Sequence, residues 1–160
     1  MYLRVLTGGG LLWEAACVSR RAWVLYDVAN SAFFLSISAA IFPLFFQELY
    51  VRRHAGEGLA VEELRTRGAG LLGYAAAAAL LVIALLGPLL GALADRRGLK
   101  KRLLAGFALL GIVSTAGLAF VGLDAVEAAA LLYALGTVGA AGSIVFYDAL
   151  LSAVAEPGDL

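Results

Sequence analysis

The stretch LLGYAAAAALLVIALLGPLLGAL, residues 71–93, contains no charged side chain. A helix of roughly 20 apolar residues crosses a bilayer core about 30 Å thick, so this stretch is long enough to span a membrane. Its alanines and leucines are strong helix formers, and it lacks the alternating pattern of a transmembrane barrel strand. The stretch therefore predicts a transmembrane helix.

Three further stretches have the same apolar character, at about residues 23–50, 103–123 and 128–154. Across the chain 62% of residues are hydrophobic and 15% are charged, whereas soluble domains average roughly 45–50% and 25%. These values predict an all-α membrane protein with four transmembrane helices. We expect residues 1–22 to be a cytoplasmic or surface-lying lead-in, and residues 155–160 to be the cytoplasmic stub of a truncated chain.

The positions of the basic residues predict the orientation of the spans. Eight basic residues lie on the side of the lead-in and of the second connection: Arg4, Arg20, Arg21, Arg96, Arg97, Lys100, Lys101 and Arg102. Four lie on the other side: Arg52, Arg53, Arg65 and Arg67. Because basic loops stay in the cytoplasm, we expect a multi-pass protein of the cell membrane with both ends of this chain inside.

The residues give no indication of an enzyme, a metal site or a cofactor. Cys17 and His54 are each the single residue of their type, so neither a disulfide framework nor a metal cluster is expected within the chain. The triple glycine at residues 8–10 lacks the preceding strand and following lysine of a phosphate-binding loop. A formal net charge of zero does not suggest nucleic acid as a partner.

Small residues recur at helical spacing in two of the spans. Gly87 and Gly91 form a GxxxG pair in the second, while Gly136, Gly139 and Gly142 follow one another at three-residue steps in the fourth. Small residues let helix backbones approach closely in lipid. Both patterns predict close packing of helices, and a sliding interface is compatible with them.

The second connection carries the most specific motif. Residues 91–101 read GALADRRGLKK, which resembles the G-x-L-a-D-r-x-G-r-k-x loop signature of the major facilitator superfamily, also placed between helices two and three. The matching positions are Gly91, Asp95, Arg96, Gly98, Lys100 and Lys101, and Leu99 stands where a basic residue is usual. The alternative is a solvated basic turn that only sets the topology.

Two further motifs resemble one branch of that superfamily, the vacuolar-effluxer-like, autophagy-related permeases. Residues 23–33, WVLYDVANSAF, match the pattern W-x-x-Y-D-x-A-N-S-A-F of its first helix, and IFP follows at residues 41–43. Residues 145–151, VFYDALL, are similar to VFYNALL in its fourth helix, although Asp148 replaces Asn and Ser152 replaces a following Pro. The resemblance covers about residues 22–156.

Polar residues within the spans are the candidates for a transport path. Asp27, Asn30 and Ser31 share one helix face, which Phe34 and Ser38 would continue, and Thr137, Ala141, Ile144 and Asp148 share another. Charges within a span usually face the bundle interior or a wet cavity. The resemblance implies a central cavity lined by helices one and four, so these two faces are expected to border it.

Depth within the bilayer limits the role of the two acids. Asp27 and Asp148 lie about 6 and 9 Å from the cytoplasmic ends of their predicted spans, at 1.5 Å per residue. Substrate sites of such transporters lie near the midplane. The two carboxylates therefore suit a cytoplasmic gate or a proton relay better than a substrate clamp. The alternative is that they form ion pairs with Arg20, Arg21 or the basic loop.

The resemblance implies a secondary transporter that moves small solutes, with amino acids or related metabolites as the substrate class and protons as a candidate coupling ion. The superfamily uses two halves built of three-helix repeats, so four helices represent its N-terminal part. Expected partners are the bilayer, a small-molecule substrate and the remainder of the transporter. The alternatives are a non-transporting four-helix scaffold or regulatory subunit, and a compact dimeric exporter, for which Asp27 lies too shallow.

Overall fold

The described residues form four long helices. The computed structural model describes Arg21 and residues 24–94, 99–122 and 124–154, with side chains described as far as residue 92 and from 99 to 148. The helices are α1 (Val24–Arg53), α2 (Val61–Ala94), α3 (Leu99–Leu118) and α4 (Val126–Val154). All four are long and apolar enough to cross a membrane, and the described ranges contain no strand. The predicted all-α fold with four spans is confirmed.

The chain divides into two compact units, and the first ends at Ile41. Its described part is helical throughout, with α-helix over residues 24–32 and π-helix over Phe33–Ile41. A π-helix of this length is unusual, since most are single turns inserted in an α-helix. Leu25 and Leu35 are 69% and 70% exposed, so this unit presents an apolar surface that suits contact with lipid chains.

The second unit begins at Phe42 and is organised around α4. Helix α4 packs against α3 and α2, and residues 42–53 of α1 pack mainly against α2. The side chains that close this core are Phe46, Leu49, Leu64, Val126 and Phe146, each no more than 2% exposed. Half of the most apolar part of α4 is buried, compared with 6% in α3, so α4 is the internal helix of the unit.

Helices α3 and α4 approach each other so closely that only glycine fits at the contact. A Cβ atom on Gly139 would lie 2.6 Å from the Cα atom of Gly111 and 2.8 Å from the carbonyl oxygen of Phe107. A Cβ atom on Gly142 would overlap the ring of Phe107. Because glycine has no Cβ atom, the two backbones can touch. The spacing of the glycines in α4 predicted this close packing.

The ends of two helices differ from the ends of the predicted apolar stretches. Helix α2 begins at Val61 rather than near residue 71, because its polar first turns pair along the helix, with Glu63 and Arg67 2.9 Å apart. Leu64, 2% exposed, fixes these turns to the core. Helix α3 ends at Leu118, where the amides of residues 119–121 donate to carbonyls three residues back and tighten the chain into turns. The bilayer boundaries themselves remain predictions.

Candidate functional site

In the first unit, three candidate residues lie on the α-helical part of α1. Asp27 and Ser31 are exposed and Asn30 is half-buried. Spacings of three and four place all three on one helix face. Asp27 makes no ion pair with Arg21 or with any other described residue. Arg20, the other predicted partner, lies outside the described residues. The carboxylate of Asp27 is therefore accessible to solvent or to a solute in this unit.

The π-helix changes how the face of α1 continues beyond Ser31. The predicted alignment of Phe34 and Ser38 with Asp27 assumed 3.6 residues per turn, and this period applies only as far as residue 32. Over Phe33–Ile41 the hydrogen-bonding pattern is i→i+5, so each residue turns less about the axis than in an α-helix. The face that carries Asp27, Asn30 and Ser31 therefore does not extend in a straight line along α1.

In the second unit, the candidate face of α4 is closed at one end and open at the other. Thr137 is only 4% exposed, and its hydroxyl donates to the Tyr133 carbonyl oxygen at 2.9 Å. Ala141 and Ile144 are half-buried, and Asp148 is exposed. Asp148 makes no ion pair within the described residues. A solute could thus reach Asp148 more readily than Thr137.

A group of aromatic rings lies one turn before Thr137 and closes that end of the face. The rings of Phe42 and Tyr133 stack in parallel, with centroids 4.7 Å apart and planes 10° apart. Phe42 also contacts the rings of Phe45 and Phe46, at 6.2 and 5.8 Å. We refer to Phe42, Phe45, Phe46 and Tyr133 as the aromatic cluster. It joins α1 to the N-terminal part of α4, far along α4 from Asp148.

The loop signature is described only at its two ends. Gly91 is exposed on α2, and no atom lies within 4 Å of a Cβ atom built on it. Asp95, Arg96 and Gly98 lie outside the described residues, so their predicted roles remain predictions. Lys100 is half-buried and Lys101 exposed, both in the first turn of α3, where the helix dipole disfavours cations.

One polar group that the sequence did not single out lies at the turn between α1 and α2. His54 stacks on the ring of Tyr50 with centroids 4.1 Å apart, and its Nε2 atom lies 3.9 Å from Oε1 of Glu57. His54 is the single histidine of the chain and therefore looked isolated. The signal that could have found this group is the i, i+3 spacing of His54 and Glu57.

Comparison with known proteins agrees with the motifs in the helices and the loop. Residues 18–157 match the family described as Vacuole effluxer Atg22 like. The Uncharacterized MFS-type transporter YxiO of Bacillus subtilis (strain 168) is 38% identical over 130 residues, which are 81% of this chain and 28% of that protein. The chain thus spans little more than a quarter of the length of this relative. No solved structure matches it. The chain is a multi-pass membrane protein that belongs to the Atg22-like vacuole effluxer family.

Proposed function

We propose that this chain is the N-terminal part of a secondary active transporter that moves small solutes by alternating access. The observation that carries the proposal is the match of residues 18–157 to an effluxer family, together with 38% identity to an MFS-type transporter. Four membrane-length helices supply one three-helix repeat and the first helix of the next. Substrate translocation would then require the remainder of the transporter, which completes the central cavity.

The proposed substrates are small polar metabolites, with amino acids first among them. Asn30, Ser31 and Thr137 carry uncharged hydrogen-bonding groups, which suit a solute that must be released again on the other side. The hydroxyl of Thr137 already donates within its own helix, so its remaining capacity is as an acceptor. Asn30 and Ser31 are the more available of the three.

Asp27 and Asp148 are the proposed cytoplasmic gate or proton relay. Both are exposed carboxylates without an ion-pair partner among the described residues. Each lies within about 10 Å of a helix end that we place in the cytoplasm, at 1.5 Å per residue. A carboxylate at this depth can take up a proton from the cytoplasm and change the local charge as the gate opens. The aromatic cluster lies in the outer half of the same topology and would support the closed outer end.

The loop signature between α2 and α3 is proposed to set the orientation and to hold a conformation of the transporter. Lys100 and Lys101 are retained in the first turn of α3 against the helix dipole. In this proposal, topology or contact with lipid headgroups contributes more than that unfavourable term. Gly91, Asp95, Arg96 and Gly98 complete the signature, and Asp95 would contact a helix end supplied by the remainder of the protein.

Flux measurements on the whole transporter in proteoliposomes test the function. We expect counterflow of radiolabelled amino acids. We also expect a proton gradient across the membrane, in one of its two directions, to drive their accumulation. Asp27→Asn should retain counterflow and lose the accumulation driven by the proton gradient. Glu62→Gln, which changes an exposed carboxylate at the start of α2, is the matched control and should behave as the wild type. Unchanged pH dependence in Asp27→Asn would refute its coupling role.

A second measurement tests the orientation. Gly56 lies in the 3₁₀ turn between α1 and α2, where a Cβ atom meets no other atom within 4 Å. Gly56→Cys, in a protein whose Cys17 is replaced by Ser, should react with a membrane-impermeant maleimide added to intact cells. Reaction only after the membrane is permeabilised would place this turn in the cytoplasm and reverse the proposed topology.

A further inference from the structure

In the turn between α1 and α2, the side chain of His54 contacts both α1 and the 3₁₀ turn of Ala55–Glu57. His54 follows the last residue of α1, its ring stacks on Tyr50 of α1, and its Nε2 atom faces the Glu57 carboxylate in the 3₁₀ turn. Tyr50 in turn covers α2, because a Cβ atom on Gly68 would lie 3.0 Å from the Tyr50 Cβ atom. We call Tyr50, His54, Glu57 and Gly68 the hairpin clasp.

The hydrogen bonds of His54 fix its tautomer. Its Nδ1 atom lies 2.9 Å from the carbonyl oxygen of Tyr50, and a carbonyl oxygen only accepts. The Nδ1 atom must therefore carry the proton. In a neutral ring the Nε2 atom then presents a lone pair toward the Glu57 carboxylate, 3.9 Å away. The neutral ring thus places two acceptors opposite each other.

A proton on Nε2 removes this conflict. The imidazolium would keep its bond from Nδ1 to the Tyr50 carbonyl and would gain an ion pair with Glu57. It would also place a positive charge at the C-terminal end of α1, where the helix dipole favours cations. The charged ring therefore has two favourable interactions that the neutral ring lacks, with Glu57 and with the end of α1.

We propose that His54 and Glu57 form a proton-binding site that tightens the α1–α2 hairpin in acid. The ion pair needs a charged imidazole on His54 and a charged carboxylate on Glu57. Mild acid supplies the proton on Nε2 and leaves the carboxylate charged, and the pair is lost as rising pH neutralises the ring.

The other charged groups of the three elements are largely occupied with one another. On α1 Arg52 pairs with Glu48 at 3.2 Å, and on α2 Arg65 and Arg67 pair with Glu62 and Glu63. Arg53 is exposed and adjacent to His54 in sequence, and its positive charge opposes protonation. Glu57 is the acid that the geometry places against the imidazole, so the proposed ion pair depends on it.

The clasp itself does not depend on transport, but its location outside the cytoplasm rests on the proposed topology. There it would sense the pH of the medium on the outer side. Acid would stabilise the contact of Tyr50 with Gly68 and so hold the outer ends of α1 and α2 together. The proposed role of the turn is therefore to make the opening of the α1–α2 hairpin depend on pH.

Hydrogen exchange on the whole transporter in nanodiscs tests the proposal, whichever side the turn faces. The amide of Glu57 donates to the His54 carbonyl at 3.0 Å, so its exchange reports opening of the turn. After correction for intrinsic rates, we expect it to be about twofold to fivefold more protected at pH 5.5 than at pH 7.5, as an exposed ion pair allows. Glu57→Gln and His54→Gln should each abolish this difference.

Glu62→Gln is the matched control, since it removes an exposed carboxylate that pairs within α2, and it should retain the wild-type difference. The proposal is overturned if wild-type protection is equal at the two pH values. It is also overturned if Glu57→Gln keeps the wild-type ratio. Because Glu57 and its partner lie at the surface, with side chains 50% and 25% exposed, these variants are expected to fold. Absence of solute flux would refute the transporter proposal and leave this measurement unaffected.

Discussion

Two glycine patterns that look equivalent in the sequence have different surroundings in the structure. Gly139 and Gly142 of α4 lie against the backbone of Gly111 and the ring of Phe107. Gly91 of α2 has no atom within 4 Å of a Cβ position, and Gly87 has none either. The comparison teaches that small-residue spacing predicts the capacity for close packing, whereas the partner decides whether that capacity is used.

The partner in turn depends on which helices pack together. Helices α3 and α4 pack along each other, so their glycines meet, whereas α2 and α3 make few contacts although they are consecutive. The C-terminal part of α2 is followed by the loop signature, and its Leu85 and Leu89 are 69% and 67% exposed. The described chain leaves this apolar face uncovered.

The largest effect is expected for Gly139→Ala. The new methyl group would lie 2.6 Å from the Cα atom of Gly111, and backbone atoms cannot move aside as a side chain can. Separating α3 from α4 should lower the free energy of unfolding by about 3 kcal/mol, the upper end of typical overpacking costs. Thermal unfolding of the purified protein measures it, with Gly106→Ala as control because its Cβ position is open. Equal stability of the two variants would mean that α3 and α4 do not touch.

A smaller effect is expected for Gly142→Ala, because its methyl group meets a side chain. The obstacle is the ring of Phe107, which stacks on Phe146 with centroids 5.7 Å apart. We expect a loss of about 2 kcal/mol. Combining the change with Phe107→Leu should make the double variant more stable than the sum of the single losses predicts, by about 1 kcal/mol. Strict additivity in this double-mutant cycle would contradict the contact.

A still smaller loss is expected for Gly68→Ala in the hairpin. The methyl group would lie 3.0 Å from the Cβ atom of Tyr50, so the tyrosine must shift by a few tenths of an ångström. The expected cost is about 1 kcal/mol. Gly70→Ala, whose Cβ position is open on the same helix, is the control. If both variants unfold at the same temperature, Tyr50 does not cover α2.

The smallest effect is expected for Gly91→Ala. No described atom opposes its methyl group, and alanine favours a helix over glycine by roughly 0.5–1 kcal/mol. We therefore expect unchanged or slightly increased thermal stability. A loss comparable with that of Gly139→Ala would show that another segment covers this face as tightly as α3 covers α4, and the contrast between the two patterns would disappear.

The helices themselves could be predicted from the sequence because apolar length is a local property. The start of α2 could not, since Glu62, Glu63, Arg65 and Arg67 have the composition of a loop and become helical by pairing with one another and by burying Leu64. The π-helix of Phe33–Ile41 was also missed. Its residues are ordinary for an α-helix, so no local pattern distinguishes the two forms.

The candidate site was predictable only in part. The motifs identified Asp27, Asn30 and Asp148 as unusual for a span, and the structure leaves the two acids exposed. Thr137 is buried, its hydroxyl donates to the Tyr133 carbonyl oxygen, and the Tyr133 ring stacks on Phe42. The hydrogen bond follows from spacing within α4, whereas the stacking involves the packing of α1 on α4, which spacing within a single helix cannot reveal. His54, in contrast, has its partners Tyr50 and Glu57 within four residues, so its group could have been found from spacing in the sequence.

Alternating accessibility of Asn30 tests the proposed transport most directly. In the whole transporter, with Cys17 replaced by Ser, Asn30→Cys would be treated with an impermeant thiol reagent from each side of the membrane, with and without the transported solute. We expect reaction from both sides, with solute raising the rate on one side and lowering it on the other. Reaction from one side alone, at a rate that the solute does not change, would contradict alternating access.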